Sequence, residues 1–323
     1  MKIFKIGCIF IPVLVLILLL GFIFVASGPS VGCLFPTNSP VEPGTSFRVL
    51  DSGGKRRCYM LYTPPGYFHD QPLPVVISLH GFASNPRGQQ WFSEWNELAD
   101  EVNFLVVYPQ ASSFPLRWNS SYGYSSTDTD DVQFFSDLID QLSNMQEVDR
   151  HRIYVNGISN GGGMSGRIAC ELADKVAAIG SVAGFFAGFP GDCNPSRPVP
   201  VIAFHGTADP LVKYYGGTVS DVHGGTETTD PVVYPSFESW GEWWAGCNDC
   251  TSKEPLSETG EVRGIRYTNC QQNAEVVLYT IVGGGHTWPG GPSVPFIGET
   301  TQEIQASEVM WAFFEAHPLG SES

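Results

Sequence analysis

A three-layer α/β domain around a mostly parallel sheet is predicted by three patterns in this chain. Short apolar runs recur between glycine, proline and polar breaks, and stretches with helical spacing of apolar residues separate them. Such β-α-β-α alternation calls for helices on both faces of the sheet, because parallel strands need crossover connections. One of these runs, Arg152 to Asn156, leads directly into Gly157-Ile158-Ser159-Asn160-Gly161 and then into small residues that can open a helix.

In chain order, strands are expected at Pro74 to His80, Phe104 to Tyr108, Arg152 to Asn156, Ala177 to Val182, Val199 to His205 and Val276 to Val282. Each is short, rich in Val, Ile or aromatics, and apolar almost throughout, as strands buried on both faces must be. Helices are expected at Trp91 to Val102, Asp131 to Met145, Asn160 to Leu172, Phe237 to Ala245 and Glu303 to Ala316. Asp130 and Asp131 stand where a helix N-terminus favours capping side chains and negative charge. With Asp128 they lack the glycine and terminal glutamate of a calcium loop.

The chain opens with Lys2 and Lys5 followed by an apolar run from Ile6 to Ala26 and the small residues Ser27, Gly28 and Ser30. Residues 1–27 are therefore read as an export signal or membrane anchor, residues 28–45 as a Pro-rich spacer, and residues 46–319 as one catalytic domain. Three fates stay open for the leading segment: cleavage near Ser27, retention as a tether through residues 6–26, or lipidation at Cys33. Eight cysteines in 323 residues point to an oxidising compartment, so a secreted or extracytoplasmic, membrane-anchored protein is expected. Cys247-Asn248-Asp249-Cys250 has no second Cys-x-x-Cys or nearby His to complete a metal set. The net charge of −16 makes nucleic acid an improbable partner and disfavours polyanionic substrates. Asn119-Ser120-Ser121 is a glycosylation sequon.

The Gly-x-Ser-x-Gly turn between a strand and a helix is the setting in which a serine hydroxyl is exposed as a nucleophile, beside helix N-terminal amides. Asp209, in Gly206-Thr207-Ala208-Asp209-Pro210 at the C-terminal end of a strand, is the candidate acid that orients an imidazole. His286, after Gly283-Gly284-Gly285, is the candidate general base. An oxyanion hole needs one amide after the nucleophile, that of Asn160, and one from an earlier strand's loop, that of Phe82 in Leu79-His80-Gly81-Phe82. Trp118, Tyr122, Tyr124 and Trp288, with Phe82, are aromatics expected around the mouth, where they could stack on a phenolic ring or sugar face. The chemistry calls for neither cofactor nor metal. The order Ser159, Asp209, His286 is that of α/β-hydrolase enzymes.

With these residues the chain resembles the esterase family of polyhydroxybutyrate depolymerases and feruloyl and acetylxylan esterases. The resemblance runs from about Arg56 to Pro318. It is carried by Leu79-His80-Gly81, Asp130-Asp131-Val132, Arg152 to Gly162, His205-Gly206-Thr207-Ala208-Asp209, Gly284 to Gly290 and Phe313 to Pro318. It implies a three-layer α/β-hydrolase fold, a Ser159-Asp209-His286 triad, and disulfides Cys170 with Cys193 and Cys247 with Cys270, leaving Cys58 and Cys250 as a third pair. The expected reaction is hydrolysis of carboxylic esters, with feruloyl or acetyl groups on plant polysaccharide as the substrate. The alternatives are polyester or oligomer depolymerisation, peptide hydrolysis, and a catalytically silent binding protein of the same fold.

Overall fold

The computed structural model describes residues 30–37, 40–67, 71–121, 129–218, 233–256 and 258–320. The leading segment 1–27, the first part of the spacer, and Tyr122, Tyr124 and Asp128 lie outside the described residues. Among the described residues no helix is long and apolar enough to cross a membrane.

The strands, in chain order, are β1 (Gly44–Ser52), β2 (Lys55–Thr63), β3 (Leu73–Leu79), β4 (Leu105–Pro109), β5 (Val148–Ile158), β6 (Ala178–Val182), β7 (Val201–Gly206), β8 (Gly217–Thr218), β9 (Val233–Tyr234), β10 (Ser252–Pro255), β11 (Val262–Thr268) and β12 (Val276–Ile281). The α-helices are α1 (Pro86–Ser93), α2 (Trp95–Val102), α3 (Asp131–Ser143), α4 (Asn160–Glu171), α5 (Phe237–Cys247) and α6 (Ala306–Glu315). Ten strands form one sheet in the order β1-β2-β4-β3-β5-β6-β7-β12-β11-β10, and β8 with β9 makes a separate two-stranded ribbon.

The six central strands, β4-β3-β5-β6-β7-β12, pair in parallel. They are the runs expected from the sequence, and β3, β4, β6 and β7 are buried along their whole length. One face packs under α3, α4 and α5 through Phe134, Leu138, Met164, Ile168, Trp240 and Trp244. The other packs under α2 and α6 through Trp95, Ala99, Met310, Trp311 and Phe314. Helices on both faces make the three layers that the alternation implies.

The antiparallel wings, β1-β2 at one end and β11-β10 at the other, are additions. β2 holds one apolar run, Cys58 to Tyr62, which the expected strands did not include, and the other wing strands carry none; β10, for instance, is exposed at every position. The single helix expected at Trp91 to Val102 is two helices, because Glu94 adopts a left-handed φ of 53° and turns the chain between Ser93 and Trp95. At the start of α3, Asp130 caps the Gln133 amide at 2.9 Å. Asp131 instead forms a buried ion pair with Arg57 at 2.8 Å, joining α3 to β2.

Among the described residues three disulfides are present, and two differ from those the resemblance implied. Cys170 pairs with Cys193, but Cys33 pairs with Cys58 and Cys250 with Cys270, leaving Cys247 as a thiol. A Cys58–Cys250 bond is ruled out by topology, since β2 and the segment leading into β10 lie at opposite ends of the ten-stranded sheet. Cys250 rather than Cys247 meets Cys270 because Asp249, at φ 49°, reverses the chain after α5, while Cys247 stays half-buried on the helix. Burial pushes its thiol up to about 11, which keeps it protonated and unreactive.

The spacer is partly fixed to the domain. A 3₁₀ turn at Val31–Leu34 brings Cys33 to β2, and the Ser30 amide donates to Gln110 Oε1 at 2.6 Å. That bond consumes the thiol a lipid would need, which removes the third fate of the leading segment. The sequon is likewise occupied by structure: Ser120 and Ser121 are buried, and the Asn119 side chain faces the Thr129 carbonyl.

Candidate active site

Ser159 sits between β5 and α4 with φ 57° and ψ −121°, a conformation that costs a non-glycine residue free energy and that serves to hold a side chain out of the chain's path. The turn is tight enough to need its glycines. A Cβ on Gly157 would lie 2.6 Å from the Gly161 carbonyl carbon, and one on Gly161 would collide with the Leu79 carbonyl. The Ser159 hydroxyl makes no capping bond to its own helix, and the Asn160 amide begins that helix, where no upstream carbonyl is in register to receive it. No side-chain hydrogen bond joins Ser159 to His286 in this structure; such contacts commonly tighten only with substrate in place.

The segment after β3 packs against this turn, with a Cβ on Gly81 falling 3.3 Å from that of Ser159. It is held by a histidine and an indole. His80 Nδ1 donates to the Gly81 carbonyl at 2.8 Å, and its Nε2 accepts from the Ala111 amide at 3.2 Å. Complete burial holds His80 down to about 4, so it stays neutral. Trp118 Nε1 donates to the His80 carbonyl at 2.9 Å, and Asn160 clasps the same loop by accepting from the Trp118 amide at 2.6 Å and donating to Ser120 Oγ at 2.8 Å.

Asp209 and His286 come together from the loops after β7 and β12, with His286 Nδ1 donating to Asp209 Oδ2 at 2.8 Å. The amides of Leu211 and Val212 both donate to Asp209 Oδ1 at 2.8 Å. A second histidine shares the carboxylate: His205 Nε2 lies 3.3 Å from Asp209 Oδ2 and 2.8 Å from the Val212 carbonyl. Both neighbours are acceptors, so the His205 proton sits on Nε2. Burial alone would raise the Asp209 carboxyl, but hydrogen bonds from His205 and then His286 hold it well below the usual carboxylate range. Ala208 N donates to Gly284 O at 2.9 Å and locks the two loops together, and within the second loop His286 N donates to Ile297 O at 2.7 Å.

Two of the expected mouth aromatics do not reach the mouth. Trp118 is fully buried as the strut under His80, stacked on Phe134, and Trp288 is buried with its Nε1 donating to Ser307 Oγ at 3.1 Å. Each indole finds its polar partner inside, so nothing draws it to the surface. Tyr122 lies outside the described residues, while Phe82 is exposed. From sequence His205, like His80, reads as a strand-ending histidine satisfied by local hydrogen bonds; its bond to the Val212 carbonyl fits that reading, its approach to Asp209 goes beyond it, and the Asn160 side chain was passed over. Among the described residues no group of acidic, His and Cys side chains could hold a metal ion.

A family model described as esterase PHB depolymerase matches residues 57–210. Feruloyl esterase B of Piromyces equi is 33% identical over 226 residues, which make up 69% of this chain and 41% of that protein, so the chain spans less than half of that relative's length. The putative esterase NocK of Nocardia uniformis subsp. tsuyamanensis is 29% identical over 281 residues, covering 82% of this chain and 80% of its own. In structure, the acetyl xylan esterase from Aspergillus awamori superposes with a TM-score of 0.57 over 83% of this chain and 98% of its own at 14% identity, a likeness of fold.

Proposed function

We propose that this chain, similar to polyhydroxybutyrate depolymerases and feruloyl and acetylxylan esterases and built on an α/β-hydrolase fold, is a serine carboxylic-ester hydrolase working through an acyl-enzyme. Ser159 Oγ attacks the ester carbonyl carbon while His286 Nε2 takes its proton. The resulting oxyanion is held by the amides of Asn160 and Phe82, and its collapse expels the alcohol, which takes the proton back from His286. Water, deprotonated by the same imidazole, then attacks the acyl-enzyme and releases the acid. Asp209 keeps the Nδ1 proton of His286 in place and stabilises the imidazolium. The reading is carried by the 2.8 Å bond between His286 and Asp209, on loops at the same edge of the sheet as the strained Ser159 turn.

Replacing Ser159→Ala in purified protein should lower kcat for a chromogenic short-chain ester by about four orders of magnitude or more. Wild-type turnover in that variant would end the assignment. A fluorophosphonate probe should label Ser159; an unlabelled, folded protein would instead be a silent member of the fold.

For the acyl group, our first reading is feruloyl or acetyl esters on plant polysaccharide, and the likeness to feruloyl esterase B supports the feruloyl choice. Oligomeric hydroxybutyrate is the second reading, favoured by the family model that matches the elbow and the acid. A panel of methyl ferulate, acetylated xylan and hydroxybutyrate oligomers separates them, and activity on the last alone would reverse the order. The three disulfides fit an oxidising, extracytoplasmic location. Residues 6–26 supply enough apolar length to serve as a retained membrane tether for the single catalytic domain.

A further inference from the structure

We propose that the catalytic edge of this protein lies against a zwitterionic lipid bilayer, with the Val31–Leu34 turn, Phe35 and the apolar loop tips flanking Ser159 seated in the headgroup layer. The proposal rests on the tether reading of residues 6–26 and adds an orientation to it.

Exposed apolar side chains scattered singly are ordinary, but their distribution here is one-sided. Of the twelve large apolar side chains left exposed among the described residues, nine stand on segments at the C-terminal edge of the parallel strands, and only Trp91, Val102 and Val233 stand elsewhere. Phe114, 74% exposed, follows β4; Phe82 follows β3; Leu211 and Tyr215 follow β7; and Phe296, 100% exposed, follows β12. In the sheet order these strands lie on both sides of β5, which carries Ser159, so the apolar tips bracket the nucleophile.

The described part of the chain begins at this same edge. Ser30 is hydrogen-bonded to Gln110, the residue just beyond the C-terminal end of β4, and Cys33 is covalently joined to Cys58 alongside. The turn that follows presents Val31, Leu34 and Phe35 at 70%, 71% and 76% exposure. Only three residues separate Ala26 from Ser30, so a bilayer holding residues 6–26 is kept within a few residues of that turn. A net charge of −16 repels anionic headgroups, which selects a zwitterionic surface.

The test uses the full chain reconstituted into phosphatidylcholine vesicles, beside a variant carrying Val31→Ser, Leu34→Ser and Phe35→Ser together. Flotation reports the tether, and amide hydrogen exchange read by mass spectrometry reports the orientation. Both proteins are expected to float, with residues 113–116 and 294–297 protected in the wild type and that protection lost in the variant. A thermal melt in detergent checks that the variant is folded. Flotation of both with equal exchange in those loops overturns the orientation and leaves the tether standing. Failure of the wild type to float overturns both. Equal protection on phosphatidylglycerol vesicles overturns the choice of a zwitterionic surface. None of these readouts depends on the ester-hydrolase assignment.

Discussion

At the residue scale, the site is supported by side chains whose chemistry is spent on other side chains. His205 and His286 converge on one carboxylate oxygen, so Asp209 is oriented from two directions while its other oxygen is fixed by two amides. Replacing His205→Ala should free Asp209 to turn, lowering kcat by about tenfold with KM little changed, because the loss falls on the transition state. His205→Gln, which offers an N–H at a similar reach, should recover much of that loss and restore the pH–rate profile. Equal kcat in His205→Ala and wild type would show that the second histidine has no positioning role. The convergence of Asp209 and His286 follows the order and strand-end placement visible in the sequence. The inward turn of Trp118 and Trp288 was not visible, because an aromatic beside a reactive motif has the same one-letter code whether its indole nitrogen meets solvent or a buried acceptor.

At the scale of elements, apolar continuity made the six parallel strands legible, since burial on both faces leaves a chemical signature in every residue. Of the wings, β2 carries that signature in Cys58 to Tyr62 and could have been found, while β1, β10 and β11 do not. β1 and β10 are held by backbone pairing to a neighbour, which sequence does not encode residue by residue, and the break at Glu94 between α1 and α2 has neither glycine nor proline to announce it. The joint between β2 and α3 depends on a pair whose members are 3% and 1% exposed, Arg57 and Asp131, with Arg57 also stacked 3.8 Å over Phe134. Removing one charge strands the other away from water. Arg57→Met should therefore cost about 3 to 5 kcal/mol in urea unfolding. Because Asp131 also accepts from the Asn119 amide at 2.8 Å, Asp131→Asn should loosen the loop that Asn160 clasps and reduce ester turnover as well as stability. A loss below about 1 kcal/mol for Arg57→Met would mean that water reaches the pair.

For the whole molecule, a fold packed around neutral histidines has a pH dependence of defined sign. His80 is held at about 4 against an ordinary 6.5, and burial also pushes His317 down. Below about pH 6.5 the unfolded chain binds a proton that the folded protein refuses until about pH 4, so the unfolded state binds more protons throughout that window and stability rises with pH. The His80 contribution is complete above the window and falls by about 3 kcal/mol across it. Urea midpoints taken across that range should drop steeply for wild type and less steeply for His80→Gln, even though that variant starts lower; parallel slopes would remove His80 as the cause. The Cys33–Cys58 bond has a consequence of another kind, for the path of mechanical load. Tension applied at Ser30 passes through the sulfur atoms into β2 and the body of the sheet, bypassing the 24 residues from Leu34 to Arg57 that include all of β1. The edge strand nearest the leading segment is thus a slack loop in any pull on that segment, and cannot be peeled away by it.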